Sequence, residues 1–147
     1  MDEKNKMKIF IACSKHHYNA IPEIKEKLEK RGHKITLPNS FEEPFAEERF
    51  KSLDKEEHIK FKQKMMKLHE PKIKKIDALL VLNLQKENNK NYIGGATFME
   101  IVKAWELNKK IFLWNPLPNC SFRDELVGIN PLIINHNLNS INQNALI

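Results

Sequence analysis

The chain has 147 residues, of which 41% are hydrophobic and 30% charged, and its formal net charge is +6. This length suits one domain, spanning 1–147, that can bury about 70% of its unfolded surface. The composition is typical of a globular protein, and it excludes a membrane-spanning one because no apolar stretch approaches the roughly 20 residues that a membrane helix needs.

The N-terminal segment and the cysteines indicate the cellular compartment. Met1–Lys6 is too polar to contain a signal-peptide core, which predicts a cytoplasmic protein. Cys13 and Cys120 are too few for a disulfide framework and stand at no metal-ligand spacing, so we expect free thiols. Acids interrupt the lysines of the helical stretches, which favours a solvated surface over a site for a polyanion.

The first half of the chain alternates between strand and helix signals. Lys8–Cys13 and Lys34–Leu37 are apolar runs that predict strands, and between them a helix is expected, with Ile21, Ile24 and Leu28 on one face and Gly32 at its end. The stretch from Asn39 to Leu53 has no clear period and is interpreted as a long loop of the kind that forms flaps. A lysine-rich helix follows from Asp54, and Pro71 is expected to interrupt it and to leave Lys72–Ile76 as a separate turn.

The second half continues the alternation. Predicted strands lie at Ala78–Leu82, Ile111–Trp114 and Leu132–Ile134. Between them the pattern predicts a helix with Phe98, Ile101, Ala104 and Trp105 facing inward, and a short helix at Arg123–Val127 ended by Gly128. The asparagine-rich tail, from about 136, is expected to be poorly ordered.

Five strands with helical crossovers predict an α/β fold with a five-stranded parallel sheet and helices on both faces. In such folds ligands bind outside the carboxyl ends of the strands. This rule places three segments at one edge of the sheet: 14–18, 83–95 and 115–119.

The segment Asn91–Glu100 is the candidate site because it contains two of the four glycines of the chain, Gly94 and Gly95. Adjacent glycines permit unusual backbone angles and close approach of a ligand. The helix that follows would direct free N–H groups at a phosphate or another oxygen-rich ligand, with Thr97 and Glu100 in its first turns.

The chain resembles the nucleoside 2-deoxyribosyltransferase-like family, and looks closest to its small, poorly characterised branch. The resemblance covers most of the chain. It depends on the first strand and its polar loop, on Ile76–Asn83, on the glycine turn with Thr97 and Glu100, and on Lys109–Leu113. It implies a flavodoxin-like three-layer sandwich, cleavage or transfer of an N-glycosidic bond, and a homo-oligomer.

In the family a glutamate after the third strand is the nucleophile, and the position that this implies here is Glu100. An aspartate of the family falls at His69, and another acid falls at Gly94; Val102 replaces a usual glycine. Histidine can transfer protons near neutral pH, so His69 becomes the candidate proton donor. The plainer interpretations are that Glu100 complements the helix dipole and that His69 only ends a helix.

Other candidates for substrate binding share the predicted edge of the sheet. Cys13 is expected to be buried there. Candidates for contact with a sugar, base or phosphate are Ser14, Lys15, His16, Tyr18, Asn83, Gly94, Gly95, Thr97 and Asn115. Asn115 precedes Pro116 and could equally be a turn residue. No third histidine or acid stands at a recognised spacing from His16 and His17, so no metal site is expected.

The sequence leaves two functions open. One is an enzyme that acts on the N-glycosidic bond of a nucleoside or deoxynucleotide through a carboxylate nucleophile, without a cofactor. The other is a non-catalytic nucleotide-binding or sensing module with the same pocket. Binding of nucleic acid is disfavoured because acids interrupt the basic helix.

Overall fold

A computed structural model describes residues 5–144, without the side chains of Phe50 and Leu53. The fold is the expected α/β sandwich with flavodoxin-like topology. Its five strands are all parallel and lie in the order β2-β1-β3-β4-β5. They are β1 Lys8–Ala12, β2 Lys34–Thr36, β3 Ala78–Val81, β4 Lys110–Leu113 and β5 Leu132–Ile133.

The central strands are apolar on both faces because helices cover both sides of the sheet. The helices are α1 Ile21–Lys30, α2 Ala46–Leu53, α3 Lys55–Lys67, α4 His69–Lys74, α5 Gly95–Glu106 and α6 Arg123–Ile129. Alternate residues of β1 enter different cores: Ile9 and Ile11 pack with α1 and the C-terminal segment, whereas Phe10 and Ala12 pack with α4, α5 and α6. Two apolar layers therefore sandwich one sheet.

The stretch 39–53 is not the long loop that the sequence suggested. Its second half forms α2, which packs against α3 as a helical hairpin. Asp54 separates the two helices, and its side chain accepts a hydrogen bond from the backbone N–H of Glu56 at 2.9 Å, which caps α3. Glu47, near the start of α2, forms an ion pair with Lys62 in the middle of α3 across the hairpin.

Pro71 does not break the helical region in the way expected. The break comes three residues earlier, at Leu68, and Pro71 is the third residue of α4. A proline is tolerated there because the N–H groups of the first helical turn have no partner within the helix.

Two further expectations were wrong. Trp105 is 52% exposed rather than inward-facing. Helix α6 continues past Gly128 to Ile129 and ends at Asn130, which adopts the left-handed conformation with φ 56°. In the C-terminal tail, Leu138 and Ile141 are buried in the core beside α1; residues 145–147 lie outside the described part.

Within residues 5–144, no helix combines the length and the apolar character needed to cross a bilayer.

Candidate functional site

A cavity of about 760 Å³ opens at the carboxyl ends of the strands. This volume lies within the range of typical small-molecule sites. The walls come from the segment after β1, the loop after β2, the α2–α3 hairpin, the start of α4, the loop after β3 and the first turns of α5. The sheet and its helices therefore bring together segments that are distant in sequence, as the strand-end rule predicts.

Glu100 lies in this cavity, in the second turn of α5, with only 12% of its side chain exposed. Burial disfavours the charged carboxylate and raises its pKa to about 8, while the nearby Lys72 opposes that shift. The carboxyl group is therefore mostly protonated at neutral pH. Glu100 is not in the first turn of the helix, so complementing the helix dipole does not account for its position.

His69 is the first residue of α4 and faces Glu100. Its Nε2 atom lies 4.0 Å from Oε2 of Glu100, and its side chain is also 12% exposed. Burial, followed by the charges of Lys72, Lys62 and Lys103, lowers the pKa of His69. The resting pair at neutral pH is thus a neutral imidazole beside a protonated carboxyl group.

Lys72 was not identified from the sequence. It follows His69 by one helical turn, so its side chain points in a similar direction. The ammonium group donates hydrogen bonds to the carbonyl of Leu37 and to Oδ1 of Asn39, at 3.0 Å for the latter, and lies 4.2 Å from the centre of the Phe10 ring. Burial lowers the pKa of Lys72 to about 8, and the charge of Glu100 acts in the opposite direction.

Cys13 and Tyr18 line the cavity near the same carboxyl group. Burial, together with the charge of Glu100, raises the pKa of Cys13 to about 12. Cys13 is thus a buried, protonated thiol, as expected for a residue at a strand end. The Tyr18 hydroxyl and the Ser40 hydroxyl are hydrogen-bonded at 2.9 Å, and burial raises the pKa of Tyr18.

The glycine turn lines the cavity, but not for the conformational reason suggested by the sequence. Gly94 has φ −80° and ψ 170°, which other residues adopt readily. Space at Gly94 is limited, because a Cβ atom there would lie 3.3 Å from the hydroxyl oxygen of Tyr92, which would have to move by a few tenths of an ångström, whereas a Cβ atom on Gly95 would meet nothing within 4 Å. Thr97 is buried, and Gly94 provides no side-chain cap, so the N-terminus of α5 faces the cavity uncapped.

The segment after β1 contributes Ser14, Lys15 and His16 to the cavity. Ser14 also accepts a hydrogen bond from the backbone N–H of His16 at 3.4 Å and so begins the 3₁₀ helix Lys15–Ala20. Lys15 forms an ion pair with Glu48 of α2. This contact joins the α2–α3 hairpin to the carboxyl end of β1.

The α2–α3 hairpin supplies a wall that sequence reasoning missed, because its first half was interpreted as a loop. The lining side chains from the hairpin are Glu47, Lys51, Phe61, Lys62, Met65 and Met66. Glu47 contacts Nε2 of His58 at 3.1 Å and Nζ of Lys62 at 3.3 Å. The wall therefore combines an apolar surface with a rim of paired charges.

Asn83 and Asn115 lie at the expected edge but not in the cavity wall. The Asn83 side chain is fully buried and pairs with the strand-end loop after β4. It donates to the carbonyls of Asn115 and Pro116 at 2.9 and 3.0 Å and accepts from the Asn115 N–H at 2.8 Å. Asn115 in turn donates to the Asn83 carbonyl at 3.0 Å, so the two residues join the ends of β3 and β4.

No set of three or more His, Cys, Asp or Glu side chains is grouped to hold a metal ion in residues 5–144. The cavity wall presents a carboxyl group and an imidazole close together, and the Lys72 ammonium group lies one helical turn from that imidazole. Such a set can provide a nucleophile and can move protons.

Fold and site together define a flavodoxin-like α/β protein with a ligand-sized cavity and a buried carboxyl group at the carboxyl edge of its sheet. A comparison with protein-family models gives no match, and a comparison with curated proteins gives none either.

Proposed function

We propose that this protein cleaves or transfers the N-glycosidic bond of a nucleoside or deoxynucleotide, with Glu100 as the nucleophile. One observation carries the proposal: the Glu100 carboxyl group lines the cavity at the carboxyl edge of the sheet, with His69 Nε2 4.0 Å away. The family resemblance of the sequence supports the same assignment. We propose a homo-oligomer on that resemblance as well, which sedimentation of the purified chain tests, and a cytoplasmic location on the composition of the sequence.

In the first step a Glu100 oxygen attacks the anomeric carbon of the sugar. The carbon–nitrogen bond breaks, its electron pair stays on the base, and protonated His69 supplies the proton that neutralises the base. The product is a glycosyl ester of Glu100. In the second step water, or the nitrogen of another base, attacks the same carbon, Glu100 leaves as a carboxylate, and the proton of the attacking group returns to His69.

The reaction needs the proton on His69 and the negative charge on Glu100. The resting pair has the opposite arrangement, since burial raises the pKa of Glu100 to about 8 and lowers that of His69. Each arrangement has one proton, which is either on His69 or on Glu100. The active form is therefore a minor form of the singly protonated pair, and substrate contacts that favour the ionised carboxylate would increase its population.

A direct assay incubates the protein with a panel of deoxynucleosides and their monophosphates, with and without a second base, and separates free and exchanged bases by chromatography. We expect base release or exchange with the wild-type protein and its loss in Glu100→Ala. Glu106→Ala is the matched control, because Glu106 lies on the same helix with its side chain 51% exposed. Absence of turnover with every substrate, or full activity of Glu100→Ala, contradicts the proposal.

The raised pKa of Glu100 also favours a second function. A carboxyl group that is mostly protonated at pH 7 is a weak nucleophile but a good hydrogen-bond donor. The alternative is thus a nucleotide-binding or sensing module without turnover. In that case calorimetry detects nucleotide binding that Glu100→Gln retains, because glutamine also donates a hydrogen bond, while the chromatographic assay detects no product.

A further inference from the structure

Lys72 differs from two lysines of the cavity wall in having no acidic partner. Lys15 and Lys62 pair with Glu48 and Glu47 of the hairpin. Lys72 has no carboxylate within ion-pair distance among the described contacts, and its ammonium group is instead held by a carbonyl, an amide oxygen and the face of an aromatic ring. Neutral partners leave its positive charge uncompensated, and Lys72 lies one helical turn from His69, whose Nε2 atom is 4.0 Å from Oε2 of Glu100.

The neutral partners also have a structural consequence. Leu37 and Asn39 belong to the loop after β2, and Asn39 lines the cavity together with Pro38 and Ser40. Within this loop the Phe41 N–H donates to the Pro38 carbonyl at 3.1 Å, and the Ser40 hydroxyl bonds to the Tyr18 hydroxyl at 2.9 Å. A single side chain of α4 thus connects the cavity wall to the helix that contains His69.

We propose that Lys72 is a positioning residue of this cavity: it places a positive charge beside the Glu100 carboxylate and fixes the cavity wall at residues 37–40. The effect of the Lys72 charge on Glu100 does not depend on any reaction. Its consequence for turnover depends on the proposed function, because only a reaction that uses ionised Glu100 benefits from a neighbouring cation.

Other groups that titrate face Glu100 from three elements. They are His69 and Lys72 of α4, Cys13 at the end of β1 and Tyr18 of the 3₁₀ helix. Cys13 and Tyr18 are neutral across the physiological range, because burial raises the pKa of each. His69 is neutral above its lowered pKa, so Lys72 is the cation in this group that acts on Glu100 at neutral pH.

The test measures the titration of Glu100 itself. Carboxyl carbons of glutamate are labelled with ¹³C, the Glu100 signal is assigned by its loss in Glu100→Gln, and its midpoint is followed with pH. We expect Lys72→Met, which keeps the aliphatic stem but removes the charge, to raise the midpoint by about one pH unit. Lys72→Arg keeps the charge and should leave the midpoint near the wild-type value.

Lys74→Met is the matched control, since Lys74 is on the same helix, is 61% exposed and pairs with Glu70 at 3.6 Å. It should leave the Glu100 midpoint unchanged. Lys72→Met should also speed hydrogen exchange at the Phe41 N–H, whereas Lys74→Met should not. If Lys72→Met fails to fold, Lys72→Gln is used, because its amide is polar and carries no charge.

An unchanged Glu100 midpoint in a folded, uncharged Lys72 variant overturns the assignment. If the wild type shows no turnover but the midpoint shifts as expected, the proposed reaction fails and the placement of Lys72 stands. If turnover is present, the pH at which activity falls on the alkaline side should move upward with the Glu100 midpoint.

Discussion

Replacing Glu100 by glutamine should stabilise the protein, because burial of this carboxyl group opposes its ionisation. Its pKa is about 8 in the folded chain against an ordinary value of 4.5. A raised pKa means that the folded state binds the proton more tightly, so its contribution to stability is complete below pH 4.5 and is lost as the pH rises to about 8. Glutamine has the same shape and avoids this loss.

The magnitude follows from the two pKa values. At pH 7 the unfolded carboxyl group is ionised while the folded one is mostly protonated, and each pH unit above 4.5 costs about 1.4 kcal/mol until the folded pKa is reached. The free energy of unfolding of Glu100→Gln, relative to wild type, should therefore increase by about 3 kcal/mol between pH 4.5 and pH 7. His69 and Lys72 titrate in both proteins, so their effects largely cancel in the difference.

Urea unfolding of both proteins at pH 4.5, 7 and 8.5 measures this difference. Glu106→Gln is the matched control, because Glu106 lies on the same helix with its side chain 51% exposed, and its difference from wild type should stay constant. A difference for Glu100→Gln that stays constant within about 0.5 kcal/mol from pH 4.5 to pH 7 would refute the reasoning, since it would mean that folding does not shift the pKa of this group.

Three further predictions address the proton pair, the glycine turn and the strand ends. If His69 is the proton donor, wild-type kcat/KM falls as the pH rises through about 8, because the pair of His69 and Glu100 then loses its proton. The residual activity of His69→Asn should instead rise over the same pH range, because this variant requires only that Glu100 ionise. Gly94→Ala should weaken ligand binding in calorimetry, because its Cβ atom, 3.3 Å from the Tyr92 hydroxyl, makes this side chain of the cavity wall move by a few tenths of an ångström. Asn83→Ala should lower the free energy of unfolding by about 2 to 4 kcal/mol, since it leaves buried carbonyl and N–H groups without partners.

Each of these predictions has a result that counts against it. If kcat/KM of His69→Asn declines at alkaline pH in the same way as that of the wild type, His69 is not the proton donor. Gly95→Ala is the control for the glycine turn, because a Cβ atom there meets nothing within 4 Å, and equal losses in the two alanine variants exclude the proposed clash. A free energy of unfolding of Asn83→Ala within about 0.5 kcal/mol of the wild-type value would mean that water replaces the lost amide.

The sheet could be predicted from sequence because its signal is local. Ile9–Ala12 and Ala78–Val81 are continuous apolar runs, as strands covered on both faces require. Parallel pairing and the carboxyl-edge location of the cavity then follow from general rules of connection. The confirmed fold class depends on these rules and on few individual residues.

The α2–α3 hairpin and the C-terminal segment were missed because their stabilising contacts are not local. Glu47 gains its partners His58 and Lys62 only when the hairpin forms. Leu138 and Ile141 are two apolar residues in a polar, asparagine-rich sequence, and their burial depends on the shape of the core beside α1. Neither the ion pairs nor this core can be read from a short stretch of sequence.

The candidate site was predictable in position but not in detail. Glu100 was singled out from the glycine turn and the family resemblance, and His69 from the resemblance, and the structure places the two side chains 4.0 Å apart. Lys72 gave no signal, because its partners in the loop after β2 are fixed only by tertiary structure. Asn83 and Asn115 lie at the expected edge of the sheet. The side-chain amide of each bonds to the backbone carbonyl of the other, and the sequence does not indicate this orientation.

Dissolved salt should affect the entrance of the cavity, because it weakens the ion pairs of the hairpin that forms one cavity wall. Apart from Phe50 and Leu53, whose side chains are not described, no side chain of α2 or α3 is buried, and the Lys15–Glu48 contact that ties the hairpin to β1 is an accessible ion pair. Dissolved ions screen such charges over about 10 Å at 0.1 M but leave the apolar layers around the sheet intact. A change in ionic strength should therefore change the rate at which a ligand enters the cavity, while the melting temperature of the protein stays nearly constant.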